Sequence, residues 1–142
     1  MSAPPLLIVA TSARVLAAAA AAAGHAGKLY AIDLFADRDT RTLTTCAQRL
    51  APTEGWAMPH APLLAAVDML VAHCPRPPPL VYGSGFEAAP ALLRELATRV
   101  PVFGCDASVL ATLGDMPALV ARCGAHADVA FPPTRRQPPR SP

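Results

Sequence analysis

Short apolar runs alternate with helix-forming segments along most of this chain, and this alternation is the feature that most limits its fold. Residues 6–10 read LLIVA, a continuous apolar run typical of a strand buried on both faces. Residues 29–35 (LYAIDLF), 80–82 and 100–103 have a similar character and predict three further strands. Strands that alternate with helices form a parallel sheet with helices on both faces. We therefore expect an α/β, Rossmann-like three-layer domain with a parallel sheet of about four strands.

The segments between these runs carry helical signals. An Ala-rich stretch at residues 14–23 favours a helix that Gly24 ends, and Thr11 and Ser12 offer capping hydroxyls before it. Further helices are predicted at residues 62–74, 88–99, 108–113 and 117–122. Residues 51–62 form a predicted loop that contains Trp56.

An acidic turn follows the second apolar run. Asp37 and Asp39 alternate with arginines there, which is more typical of a solvated, locally paired loop than of a metal site. Asp39 or Thr40 is then expected to cap a weaker helix that continues through Leu50.

Length and composition indicate one ordered domain. The chain has 142 residues, of which 53% are apolar and 15% charged, so a packed core is expected and wholesale disorder is not. We assign residues 1–130 to this domain and residues 131–142 to a Pro/Arg-rich tail or severed linker. The net charge of +2 is too small to indicate a nucleic acid or an anionic membrane as partner.

Targeting signals and cysteine spacing favour a cytoplasmic location. Residues 6–23 are largely apolar, but no positive charge precedes them and Arg14 interrupts them, which argues against a signal peptide or a membrane span. The four cysteines form no CxxC pair, so neither a zinc site nor a thioredoxin-type site is predicted.

Ligands of open parallel sheets bind at the loops that follow the carboxyl ends of the strands. In this sequence those loops cover residues 11–14, 33–40, 83–87 and 104–108. The residues that we select there for substrate or interdomain contact are Thr11, Ser12, Asp33, Gly83, Ser84, Gly85 and Glu87.

The first loop does not have the composition of a dinucleotide site. Asp33 lies 22 residues after Thr11, near the spacing of a ribose-binding acid, but the loop lacks the glycines that admit a pyrophosphate. A nicotinamide or flavin cofactor is therefore disfavoured. The hydroxyls of Thr11 and Ser12 in this loop could hold a small anion at the helix start or simply cap the helix.

The sequence GSGFE at residues 83–87 is the strongest local motif. Two glycines around Ser84 permit a tight turn and a close approach of a ligand or of another backbone segment. The spacing is not that of a GxSxG nucleophile elbow. Glu87 at a helix start is favourable in either case, so a ligand or interdomain contact and a simple turn both remain open. The residues alone identify no catalytic group and no metal ligand set.

Four stretches in this order resemble the N-terminal preceding domain of ATP-grasp ligases, in particular the predicted ATP-dependent carboligases related to biotin carboxylase. They are LLIVATSARVLAAAA (6–20), AIDLFADRDT (31–40), VYGSGFE (81–87) and VFGCDASVLATLGDMPALVARCGAHADVAFPPT (102–134). Two positions depart from the pattern: Cys105 replaces an Asn-type residue, and Met116 follows Asp115 where Lys or Pro is usual.

The resemblance implies a domain that packs on an ATP-grasp domain and contributes loops to the carboxylate or amine substrate side. ATP and Mg²⁺ would bind to that other domain, so no cofactor is expected for this chain alone, and its single lysine, Lys28, precedes the second strand. The implied partner is an ATP-grasp domain in cis or in trans, or a second copy of the chain, and the chain alone would be inactive. The alternative is a stand-alone Rossmann-like module that binds a small metabolite or a partner protein.

Overall fold

Five parallel strands form a single sheet in the order β3-β2-β1-β4-β5. The computed structural model describes residues 4–124 together with residues 126, 128 and 130, so the predicted tail at 131–142 lies outside the described residues. The strands are β1 (Leu6–Val9), β2 (Leu29–Asp33), β3 (Cys46–Arg49), β4 (Leu80–Tyr82) and β5 (Val102–Phe103). The predicted α/β class and the parallel sheet are confirmed, with one strand more than expected.

The additional strand is β3, and the prediction of a helix through Leu50 is wrong. That helix ends at Leu43, and Thr44 already has extended backbone angles. The β-branched threonines at the end of this segment have low helix propensity and suit a strand. β3 lies at the edge of the sheet, and of its residues only Ala47 is partly buried. An edge strand of this kind needs no apolar run, which is why the sequence pattern did not reveal it.

The described residues contain six α-helices. They are α1 (Arg14–Ala20), α2 (Arg38–Leu43), α3 (His60–Ala72), α4 (Pro90–Ala97), α5 (Ala107–Gly114) and α6 (Met116–Cys123). A π-helical turn, Ala21–His25, continues α1, and Gly24 ends it with a φ of 97°. Among the described residues, no helix combines the length and the apolar character needed to cross a membrane.

The central strand β1 is buried on both faces. Leu7 and Val9 belong to the larger core, which α3 and α4 cover. Leu6 and Ile8 point to the opposite side, where the small side chains of Ala13 and Ala17 allow α1 to lie close to the sheet. Alternation of this kind requires a continuous apolar strand, and it confirms the three-layer arrangement.

The α1 side of the sheet is covered only in part. Val81 of β4 lies at the margin of the smaller core, and its register partner on β5, Phe103, is 59% exposed. Beside them runs an apolar groove of about 290 Å³. We call this surface the open face; it consists of Val81, Phe103 and the groove residues Leu6, Ile8, Leu16, Ala19, Ala20, Ala23 and His25.

Candidate functional site

The loops after β1 and β4 meet at the carboxyl edge and are bonded directly to each other. The backbone N–H of Thr11 donates to the carbonyl of Ser84 at 2.8 Å, and the Thr11 hydroxyl donates to the same oxygen at 3.2 Å. Gly83 N–H donates to the Val9 carbonyl at 2.9 Å. The strand order reverses between β1 and β4, so this is the switch point at which open α/β sheets bind ligands.

The two glycines of the GSGFE motif allow this close approach. Gly85 has a φ of +110°, and a Cβ there would lie 2.8 Å from the Thr11 hydroxyl oxygen. A Cβ on Gly83 would lie 2.9 Å from the Cβ of Ala10. The sequence left open both a ligand or interdomain contact and a simple turn at this motif. The described contacts are those of a turn packed on the first loop.

Glu87 closes the same turn. Its Oε2 accepts a hydrogen bond from Gly85 N–H at 2.7 Å. Helix α4 begins only at Pro90, so Glu87 precedes the helix instead of occupying its first turn. Phe86, which lies between Gly85 and Glu87 in the sequence, has a buried side chain. Its ring meets the Tyr82 ring edge to face, with ring centroids 5.4 Å apart.

Asp33 lies at the end of β2 and is buried, with 1% of its surface exposed. Its Oδ2 accepts from the N–H of Ala13 at 2.9 Å, and its Oδ1 accepts from the N–H groups of Phe35 (3.2 Å) and Ala36 (2.6 Å). The carboxylate therefore ties the start of α1 to the turn after β2. A side chain so enclosed does not present a carboxylate to a ribose.

The prediction that Thr11 or Ser12 caps α1 is wrong. Ala13 occupies the N-cap position, and no side chain of its own segment caps the helix there. The carboxylate of Asp33, which lies 20 residues further along the chain, accepts the Ala13 N–H instead. Thr11 is directed towards the β4 loop, whereas Ser12 is exposed at the edge.

The loop after β5 is held by a second pair of contacts. The Tyr82 hydroxyl donates to the Cys105 carbonyl at 2.7 Å, and burial raises the pKa of this phenol. Asp106 Oδ1 accepts from the hydroxyl of Ser108 at 2.6 Å and from the N–H groups of Ser108 and Val109, so it caps α5. These bonds hold the pKa of Asp106 below its usual range.

An aromatic pair next to this edge was not selected from the sequence. Phe35, after β2, stacks on Trp56 in a single 3₁₀ turn (Glu54–Trp56), with ring centroids 5.5 Å apart and planes at 22°. Met58, two residues beyond Trp56, is buried, and its methyl would lie 3.7 Å from a Cβ on Gly85. The loop that carries Trp56 therefore borders the switch point. The tryptophan in the predicted loop at residues 51–62 was the only sequence signal.

Taken together, the selected residues lie at one edge, but their polar groups mainly hold the loops to one another. Thr11, Ser84, Gly85 and Glu87 form one connected turn, and Asp33 supports the neighbouring loop. Within the part of the chain that the structure describes, no three His, Cys, Asp or Glu side chains are grouped to hold a metal ion.

These features define the class of the molecule as a Rossmann-like α/β domain with a closed switch point. Comparisons of the chain with protein-family models, curated proteins and solved structures give no match.

Proposed function

We propose that the chain is the substrate-side domain of an ATP-grasp type ligase, and that its open face packs against the domain that binds ATP and Mg²⁺. The open face is the observation that carries this proposal. The order of sequence motifs supplies the identity of the partner.

The open face is apolar and only partly covered. Parallel strands are normally covered on both faces, yet Phe103 on β5 is more than half exposed on the α1 side. Ala19 and Ala23 line the groove with small side chains, and Val15, one turn before Ala19, extends this row and is 74% exposed. Among the described residues that line the groove, His25 is the only titratable one, so the surface suits an apolar partner face.

The turn at the switch point, with Thr11, Gly85 and Glu87, does not fit an ATP and Mg²⁺ site of its own. Phosphoryl transfer requires Lys, Arg or metal clamps around the phosphates. Asp33 is buried against three backbone N–H groups, and one oxygen of Glu87 is bound to Gly85. The proposal therefore assigns nucleotide binding to the partner domain, and to this chain it assigns the support of the carboxylate or amine substrate.

Sequencing of the DNA next to the coding region, followed by coexpression with any ATP-grasp polypeptide encoded there, tests the proposal, and the absence of such a reading frame would count against it. We expect the two to copurify, and we expect Phe103→Glu to abolish the complex. Met69→Glu is the matched control, because Met69 is 63% exposed on α3 and lies on the other side of the sheet. Copurification that survives Phe103→Glu would contradict the use of the open face.

Calorimetry on the isolated chain tests the assignment of the nucleotide to the partner. We expect no measurable affinity for Mg·ATP, and micromolar binding would contradict the proposal.

Light scattering then identifies the occupant of the open face. A dimer that Phe103→Glu dissociates would show that a second copy of the chain, and not an ATP-grasp domain, covers it.

A cytoplasmic location belongs to the same proposal. All four cysteines are free thiols, and Cys46 and Cys105 are exposed. Exposed free thiols are typical of a reducing compartment.

A stand-alone metabolite-binding module is the second candidate, and the exposed stack of Phe35 and Trp56 favours it.

A further inference from the structure

The aromatic pair at the carboxyl edge leaves a large ring surface in contact with water. Phe35 is 42% exposed and Trp56 is 59% exposed, although the rings stack on each other. Because the planes are nearly parallel, each ring turns one face to its partner and keeps its outer surface open. Exposed indole and phenyl faces bind flat unsaturated rings by stacking.

The backbone holds this pair in an unfavourable conformation. Ala36 and Trp56 have φ values of 41° and 62°, and they are the two non-glycine residues with positive φ among those described. Such angles are uncommon for residues with a Cβ, and they persist only where the surroundings enforce them. The Asp33 carboxylate binds the Ala36 N–H, and both the hydroxyl and the N–H of Thr53 donate to the Ala57 carbonyl. These bonds support the two residues with positive φ.

Two arginines donate to backbone carbonyls next to Phe35. Arg41 Nε donates to the Ala36 carbonyl at 2.5 Å, and Arg49 Nε donates to the Leu34 carbonyl at 3.2 Å, on either side of Phe35. Both arginines are exposed. As far as the described contacts go, each binds through Nε, which leaves its Nη nitrogens to bind an oxyanion.

Acidic groups nearby limit the charge of the ligand. Asp37 and Asp39 lie at the start of α2, and Glu54 lies in the same turn as Trp56. Asp37 already accepts the Thr40 N–H, and Asp39 lies 3.8 Å from Arg14. The arginines and carboxylates of these loops balance in number, so the site suits a monoanion better than a multiply charged phosphate.

We infer that Phe35, Trp56, Arg41 and Arg49 form a binding site for a small aromatic carboxylate. The ring of the ligand stacks on the exposed aromatic faces, and its carboxylate binds the arginine Nη groups. The site lies beside the switch point, where ligands of this fold class bind. The inference does not depend on the packing of the open face, because it uses different residues on a different surface.

Fluorescence provides a direct test, because Trp56 is the only tryptophan in the chain. Benzoate is the probe, and N-acetyltryptophanamide corrects for non-specific quenching. We expect saturable quenching by benzoate and at least about fivefold weaker binding of cyclohexanecarboxylate, which has the same charge but no flat ring. Benzyl alcohol, which lacks the charge, should bind weakly as well. Quenching that does not saturate, or equal affinity for benzoate and cyclohexanecarboxylate, would overturn the inference.

Variants of the site separate a binding role from a structural one. Phe35→Leu keeps the fluorophore and should weaken benzoate at least about fivefold, whereas Phe35→Tyr retains the stack and should restore it. Arg49→Gln should weaken benzoate but not benzyl alcohol. Phe103→Leu on the open face is the control and should leave the affinity unchanged, so this test and that of the docking proposal can fail separately. Tighter binding of phenyl phosphate than of benzoate would overturn the assignment to carboxylates.

Discussion

The backbone N–H of Ala13 donates to Oδ2 of Asp33 at 2.9 Å, across 20 residues of sequence. This bond links the start of α1 to the end of β2, and the other oxygen of the same carboxylate binds two further N–H groups. Buried acceptors with several donors are expensive to remove, because each donor then loses its partner. The carboxylate is therefore a structural centre of the carboxyl edge, beside which the proposed aromatic carboxylate site lies.

Asp33→Ala should destabilise the domain by about 3 kcal/mol, because three buried or partly buried N–H groups lose their acceptor. Urea unfolding followed by circular dichroism measures the change. Asp68→Ala is the control, since Asp68 pairs with Arg99 at the surface and its loss should cost about 0.5 kcal/mol. Similar stabilities for the two variants would contradict the role given to Asp33.

Gly85→Ala should cost more than Gly27→Ala. Both glycines have positive φ, but a Cβ at Gly85 meets the Thr11 hydroxyl at 2.8 Å, whereas one at Gly27 has nothing within 4 Å. The conformational penalty alone is about 1 kcal/mol, and the collision adds to it at Gly85 only. Thermal unfolding of the two variants checks the order, and an equal loss would show that the Thr11 contact relaxes freely.

Acid should weaken the starts of α2 and α5. The Thr40 N–H holds the pKa of Asp37 below its ordinary value of 3.8, and the bonds of Ser108 and Val109 do the same for Asp106. A carboxyl whose pKa is lower in the folded state contributes stability above pH 3.8 that is lost as the pH falls through the lowered pKa. Carboxyl titration by NMR should give both values below 3.8. A value above it would show that the caps do not form in solution.

Phe103→Ser should reduce the binding of a hydrophobic dye such as anilinonaphthalene sulfonate without loss of stability. Phe103 is 59% exposed, so its truncation removes little buried surface but much of the open face. Met69→Ser provides the comparison, because Met69 is 63% exposed on α3, on the other side of the sheet and away from the aromatic pair. Dye fluorescence that falls equally in both variants would argue against an extended apolar patch around Phe103.

The sequence predicts the parts of this fold that depend on local pattern. Residues 6–9 form the central strand because burial on both faces requires an unbroken apolar run, and such a run is visible in the sequence. β3 escapes the same reasoning because an edge strand satisfies its backbone without burying its side chains.

The candidate site shows the same division. The glycines at 83 and 85 are visible as a motif, but the contacts that require them are with Ala10 and Thr11, and Thr11 lies 73 residues from Ser84. The cap that Asp33 provides and the stack of Phe35 on Trp56 also join separate segments. Rules based on residue spacing apply to neighbours along the chain. They do not predict contacts between distant segments, which are visible only in the structure.

The position of β1 at the middle of the sheet also sets an order of assembly. Its contacts with β2 close a loop of about 20 residues, the separation of Ala13 and Asp33. Its contacts with β4 close a much longer loop, since Thr11 and Ser84 are 73 residues apart. Closure entropy rises with loop length, and distant pairings slow folding. The β1–α1–β2 unit is therefore expected to nucleate, and β4 to add afterwards with the turn at Gly85. Substitutions at Asp33 should slow refolding, whereas those at Gly85 should chiefly accelerate unfolding.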